Sequence, residues 1–199
     1  MTQTPVTEPT RSPVARLITD RLDPANWVIA VPAVVGWHVG GLAGLGWGLL
    51  GALFSAVIPL LFVTYGIRRG RWTDRHVSVR QHRPVIMIFT LCSVTTGIVL
   101  IIACGAPRQI VALIAAMLVA LGALTVVTFW WKISVHAAVA SGGVAVLALV
   151  YGPAVLVAYV VVALVGWSRV ALRDHTAAQV LSGAVLGGAV AAATYAFLR

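Results

Sequence analysis

Residues 84–104 read PVIMIFTLCSVTTGIVLIIAC and residues 109–129 read QIVALIAAMLVALGALTVVTF, with only Gly105-Ala106-Pro107-Arg108 between them. Neither run contains Asp, Glu, Lys or Arg. About 20 apolar residues are needed for a helix to cross the hydrocarbon core of a bilayer, so each run is long enough to span. The short Gly/Pro turn brings the second run back beside the first. Open sheet edges cannot be satisfied in lipid, so the pair reads as a helical hairpin.

The same pattern extends outward. Trp27 to Leu45 is a first apolar run, weakened by Gly36, Gly40, Gly41 and Gly44, and Trp47–Ile67 is a second. Beyond the central hairpin come two shorter runs, Ala137–Tyr151 and Pro153–Trp167, separated by the helix-breaking pair Gly152-Pro153. Ala177–Leu198 is the last. These segments predict an all-α, polytopic integral membrane helical bundle of six or seven membrane helices. Residues 1–26, rich in Thr, Pro and Arg, read as a polar tail with a short amphipathic piece around Val14–Leu22 and without a cleavable signal peptide. Residues 27–199 form one membrane-embedded domain.

Composition agrees. The chain of 199 residues is 60% hydrophobic and 10% charged, against about 25% charged in soluble domains. Its net charge of +9 comes from 14 Lys+Arg against 5 Asp+Glu. With no soluble basic domain to carry it, that charge points to membrane-face loops and anionic phosphate groups, not to nucleic acid. Cys92 and Cys104 are 12 residues apart on one helix, about 18 Å, too far for a disulfide, and read as small core residues. Five acidic residues in total make a carboxylate metal site unexpected, and no cofactor is implied.

Three polar connectors, 68–83, 130–136 and 168–176, are separated by helical hairpins and so fall on one membrane face. They hold most of the His, Asp and Arg residues and the other candidate polar groups: Arg75, His76, Arg80 and Arg83 in the first, Lys132, Ser134 and His136 in the second, and Ser168, Arg169, Asp174 and His175 in the third, followed by Gln179. Arg68, Arg69 and Arg71 read as positive-inside anchors, and the tryptophans at 27, 47, 72, 130, 131 and 167 as an interfacial belt. The glycines at 183, 187 and 188 suit close helix packing.

Guanidinium groups grip phosphate oxygens bidentately, which suits Arg83, Arg169 and one of Arg75 or Arg80. Ser134 stands before an apolar run, where it caps a helix whose free N–H groups attract an anion. Two histidines in one anion site suit nucleophilic attack on phosphorus and protonation of a leaving oxygen.

The arrangement Arg83-Pro84, then Ser134-Val135-His136, then Ser168-Arg169 with His175 six residues after Arg169 resembles the type 2 phosphatidic acid phosphatase superfamily, membrane enzymes related to vanadium haloperoxidases. The resemblance covers about residues 68–185. It implies a metal-independent lipid phosphate phosphatase acting through a phosphohistidine. His175 is then the nucleophile, His136 the general acid, and Arg83, Arg169, Ser134, His76 and one of Arg75 or Arg80 hold phosphate. Three departures stand out. Gln179 occupies the place of an Asp that orients the histidine, His76 replaces a Lys, and Ile133 and Val135 replace Pro and Gly. On this reading Gln179 accepts the imidazole N–H and fixes its tautomer.

The implied substrate is a membrane lipid, a polyprenyl phosphate or diphosphate or a phosphatidic-acid-like molecule. The departures motivate an alternative: a phospholipid-binding pseudoenzyme or partner subunit. A small transporter is disfavoured, because the ionisable groups cluster at one end instead of at the midplane. The basic residues of the tail and first connector place the site face in the cytoplasm, and the resemblance implies a bacterial cell membrane.

Overall fold

The structure, a computed structural model, describes residues 12–71 and 83–199. Among these the chain is helical with no strand. A short helix α1 (Pro13–Arg21) is followed by α2 (Pro24–Ala52), a π-helical turn (Leu53–Val57) and α3 (Ile58–Arg68). Then come α4 (Arg83–Ala103), α5 (Arg108–Trp130), α6 (Val135–Tyr151), a 3₁₀ segment (Pro153–Ala158), α7 (Tyr159–Ala171) and α8 (Ala177–Leu198). Five stretches are long and apolar enough to cross a membrane, the first being Pro13–Arg68, and α6 is a shorter apolar helix. The protein is an integral membrane helical bundle.

The first stretch folds back on itself. Gly40 and Gly41 leave helical geometry inside α2, with Gly41 at φ +55°, a backbone conformation that glycine adopts without a Cβ penalty. Segments 24–39 and 42–52 then lie against each other backbone to backbone. A Cβ on Gly44 would run into the Gly36 carbonyl, and one on Gly48 into that of Pro32. The break therefore sits at Gly40-Gly41, not at the expected boundary between Leu45 and Trp47. The glycine-rich run that looked like a weakened span is the contact surface of a hairpin.

The remaining turns follow the sequence. Gly105 (φ +77°) ends α4, and Gly152 (φ +101°) ends α6 before Pro153. These turns lie at one end of the bundle, where Arg108 Nε donates to the Leu198 carbonyl (2.7 Å), Tyr151 hydroxyl donates to the Val34 carbonyl (3.1 Å), and His38 packs against the Tyr151 ring. The core nearest this end is aliphatic, built around Val31, Val94, Ile101, Leu113, Ile114 and Val146. Large apolar side chains also cover the outside: Val185, Val157 and Phe197 are 69%, 76% and 84% exposed, an arrangement that lipid solvates and water does not. Cys92 and Cys104 belong to this outer surface and not to the core.

Two packing features position the other end. Helix α8 clamps α6: a Cβ on Gly187 would strike the Ala138 carbonyl, and one on Gly183 would lie 2.5 Å from the Ser134 carbonyl oxygen. Helix α1, inside the expected tail, docks on α7. Ala15 is fully buried, Thr19 is nearly so, and the Thr19 and Ser168 hydroxyls are hydrogen-bonded at 3.0 Å.

Replacing Gly44 with Ala should destabilise the protein by about 1–3 kcal/mol, the usual cost of overpacking. Gly46→Ala should not, because open space surrounds that position. Thermal unfolding of the two purified variants in one detergent checks the contrast.

Candidate functional site

At the end opposite the glycine turns, polar side chains converge on a cavity of about 320 Å³. Its polar wall comprises Asp23, His136, Arg169 and His175. Each is placed by a local device.

His136 is the second residue of α6, directly after the Ser134 cap, whose hydroxyl accepts from Ala137 N–H at 3.4 Å. Helix α6 therefore presents its unsatisfied N-terminal N–H groups and His136 at the same end of the bundle. Arg169 lies in the last turn of α7 and is 3% exposed. Its Nη2 pairs with Asp174 Oδ2 at 2.9 Å, and its Nε is buried with no hydrogen-bond partner among the described residues.

The turn after α7 makes that pairing feasible. Arg173 N–H donates to the Val170 carbonyl (2.9 Å) and Asp174 N–H to the Arg169 carbonyl (3.1 Å), the two bonds of a Schellman cap. The residue at the turn must be left-handed, and Arg173 has φ +59° where glycine is usual. The reversal returns the Asp174 carboxylate to the Arg169 guanidinium and turns buried His175 into the cavity wall.

Asp23 is the residue that sequence reasoning missed. It caps α2 by accepting Ala25 N–H on Oδ1 (2.9 Å), and its Oδ2 lies 3.9 Å from His136 Nε2. Asp23 and Asp20 also lie within electrostatic reach of Arg169. In sequence Asp23 belongs to an unremarkable polar tail. The only cue was Asp23-Pro24 before an apolar run, a helix-start signal that says nothing about which site the cap faces.

The expected site residues divide into three groups. His136, His175 and Arg169 come together on the cavity. Ser134 and Gln179 do not line it. Ser134 is fully buried, capping α6 beneath the α8 clamp, so its hydroxyl is sealed between helices. The Gln179 oxygen, expected on the His175 imidazole, instead accepts Thr176 N–H at 3.1 Å, while Gln179 N–H donates to the Thr176 hydroxyl at 3.3 Å. This capping box starts α8. Gln179 also anchors the second connector, since its carbonyl accepts Ser134 N–H at 3.2 Å. Third, Arg75, His76 and Arg80 lie outside the described residues; Arg83 opens α4, with its side chain also outside them. Trp27, read as part of the interfacial belt, also lines the cavity.

Chemically, the described site offers one buried guanidinium with an unsatisfied N–H, two imidazoles and a carboxylate beside one of them. Such a set can bind an oxyanion and move protons. No group of three or more His, Cys, Asp or Glu among the described residues is arranged to hold a metal ion.

The left-handed turn can be tested separately from any activity. Arg173→Val should lower stability by about 1–2 kcal/mol relative to Arg173→Gly, because a β-branched residue is strained at that φ. Paired thermal melts of the purified variants report it. Comparison with protein-family models, curated proteins and solved structures finds no match for this chain.

Proposed function

We propose that the protein is a lipid phosphate phosphatase working through a phosphohistidine without a metal. The observation that carries this reading is the cavity itself: His136, His175 and Arg169, whose Nε is buried without a hydrogen-bond partner, line the polar end of an otherwise apolar chamber. A lipid phosphate has the same polarity, a charged head on a hydrocarbon tail.

In the proposed reaction, Arg169 holds a phosphate oxygen, assisted by Arg83 and by one of Arg75 or Arg80, with His76 nearby in sequence. His175 attacks phosphorus, and the bond to the lipid oxygen breaks. His136 gives its proton to that oxygen, releasing the lipid alcohol, or a lipid monophosphate from a diphosphate. His136 then takes a proton from water as the water attacks the phosphohistidine, returning His175 and freeing phosphate. Asp23, 3.9 Å from His136 Nε2, favours the charged imidazolium that the first step consumes. With Gln179 engaged in the helix cap, Asp23 is a carboxylate beside a catalytic imidazole in this scheme.

The test is phosphate release from polyprenyl phosphates and diphosphates, phosphatidic acid and phosphatidylglycerophosphate, with EDTA present. Turnover should persist in EDTA and be blocked by vanadate. His175→Ala should fall to background, and His136→Ala should lose on the order of 10²–10⁴-fold. Normal turnover by His175→Ala would overturn the nucleophile assignment.

A second reading has its own support. The Gln179 oxygen is engaged by the helix cap, and three carboxylates, Asp20, Asp23 and Asp174, act on Arg169. These features suit a phospholipid-binding pseudoenzyme or partner subunit. Co-purified lipid phosphate without turnover of any substrate would favour it.

We further propose that the site faces the cytoplasm of a bacterial cell membrane. Tail residues Arg16 and Arg21 and connector residues Arg68, Arg69 and Arg71 stand on the site face, against Arg108 and Arg199 on the other, while Arg11 of the tail lies outside the described residues. Single cysteines placed at 71 and 108, in a chain lacking Cys92 and Cys104, should label in intact cells at 108 and not at 71. The reverse pattern would put the site outside.

A further inference from the structure

Arg169 is not alone in having an unmet donor. Trp27 Nε1 and Ser55 Oγ are also buried without a hydrogen-bond partner among the described residues, and both residues line the same cavity. Buried polar groups in folded proteins are paired with few exceptions, because an unpaired one keeps its desolvation cost with no bond to offset it. Three such groups around one cavity call for a common explanation.

Local structure shows how Ser55 differs from its neighbours. Inside a helix a hydroxyl can donate to the carbonyl four residues back. Thr64, Thr90, Thr125 and Thr128 all do so, at 2.7–2.8 Å. Ser55 makes no such bond. It stands in the π-helical turn, where the α-helical bonding pattern is interrupted, a feature frequent at functional sites. The turn is fixed to α4, because the Ser93 hydroxyl donates to the Phe54 carbonyl at 2.6 Å. Trp27 is held from the other side by α6: a Cβ on Gly143 would lie 2.9 Å from Trp27 Cε3. Gly143 thus meets the six-membered ring of the indole, and the N–H belongs to the five-membered one.

The two groups stand at similar depth. Pro32 and Gly48 meet across the first hairpin. Trp27 lies five residues and Ser55 seven residues from that contact toward the site face. At about 1.5 Å per residue their backbones differ in depth by roughly 3 Å, and Trp27 is one turn, roughly 6 Å, below Asp23.

We infer that Trp27 Nε1 and Ser55 Oγ form a hydrogen-bonding subsite for a carbonyl oxygen of the ligand, one glycerol unit below its phosphate. The ligand class is an acylglycerol phosphate. The inference rests on reading the Arg169 end as the phosphate site. An indole N–H is a donor only, and a serine hydroxyl reaches a new partner by rotation about χ1. A carbonyl oxygen has two lone pairs and can accept from both. In an acylglycerol phosphate the ester carbonyl is separated from phosphorus by the glycerol unit, a span comparable to the step from Asp23 to Trp27. A polyprenyl phosphate is hydrocarbon at that depth and leaves both donors unpaired. Tails contribute little to the choice, since they already lie in hydrocarbon. The discriminating interaction is the polar pair, which penalises a ligand that cannot meet it.

The experiment is equilibrium binding to the purified full-length protein, by titration calorimetry, of two phosphonates that differ by one carbonyl. One is monodecanoyl glycerol phosphonate, an ester; the other is its monodecyl ether twin. The P–C bond keeps turnover out of the measurement. Wild type should bind the ester at least about tenfold more tightly than the ether. That ratio should fall at least about threefold in Ser55→Ala and in Trp27→Phe, and vanish in the double variant. An isotope label at the ester carbonyl gives a second readout on the unaltered protein. Its infrared band should lie below its position in hydrocarbon, as the band of a hydrogen-bonded carbonyl does.

Equal wild-type affinity for ester and ether, a ratio that survives both substitutions, or a band at the hydrocarbon position would overturn the proposal. Should the variants fail to fold, the wild-type ratio and the band decide it. An ester preference without phosphate release from any substrate would sustain the subsite and sink the phosphatase reading. Phosphate release with equal affinity for ester and ether would do the opposite.

Discussion

A guanidinium 3% exposed in the last turn of a membrane helix is the feature on which the rest of the site depends. A charge removed from water must be paired or it costs several kcal/mol. The partner of Arg169 is only five residues away, yet an uninterrupted helix would carry Asp174 to another face. The Schellman turn solves this by reversing the chain at Arg173, accepting a left-handed residue with a Cβ to do so. The same reversal places His175. One electrostatic requirement thus fixes the end of α7, the strained turn and the orientation of a candidate nucleophile.

The pairing is incomplete by design or by consequence: Nε keeps an unsatisfied N–H. Buried polar groups in folded proteins usually find a partner. Here the remaining donor is itself buried, on a residue that lines the cavity and whose Nη2 is held by Asp174. Around it the bundle is built for close approach. The α8 glycines bring α6 within backbone contact and set His136 opposite the turn. Helix α1 ties to Ser168 through Thr19, which holds Asp23 near His136. A segment with the composition of a loose tail becomes part of the site's scaffold.

The lipid environment explains why such an interior is tolerated. Outside, the apolar face needs no polar partners; inside, every polar group must find one or line a cavity. The ionisable groups that line the cavity accordingly stand at one end, and the opposite end is closed by glycine turns and by Arg108, whose head caps the Leu198 carbonyl.

The sequence by itself determined that this chain crosses a membrane as helices, because uncharged runs near 20 residues have no other stable form in lipid. It also determined where most helices turn, since Gly105 and Gly152-Pro153 are local breakers that act in any context, and it brought His136, Arg169 and His175 to one face through hairpin parity. Tertiary structure decided what periodicity and spacing cannot encode. The first hairpin closes at Gly40-Gly41 because Gly36 and Gly44 must touch across it, a contact between positions that read alike along the chain. Gln179 caps a helix instead of serving an imidazole because Thr176, three residues before it, offers a closer partner. Asp23 reaches His136 across more than a hundred residues because α2, which Asp23 caps, packs against α6 at Trp27, Val31 and Gly143. Local propensity is written in neighbouring residues; which side chains share a buried space depends on how distant helices pack.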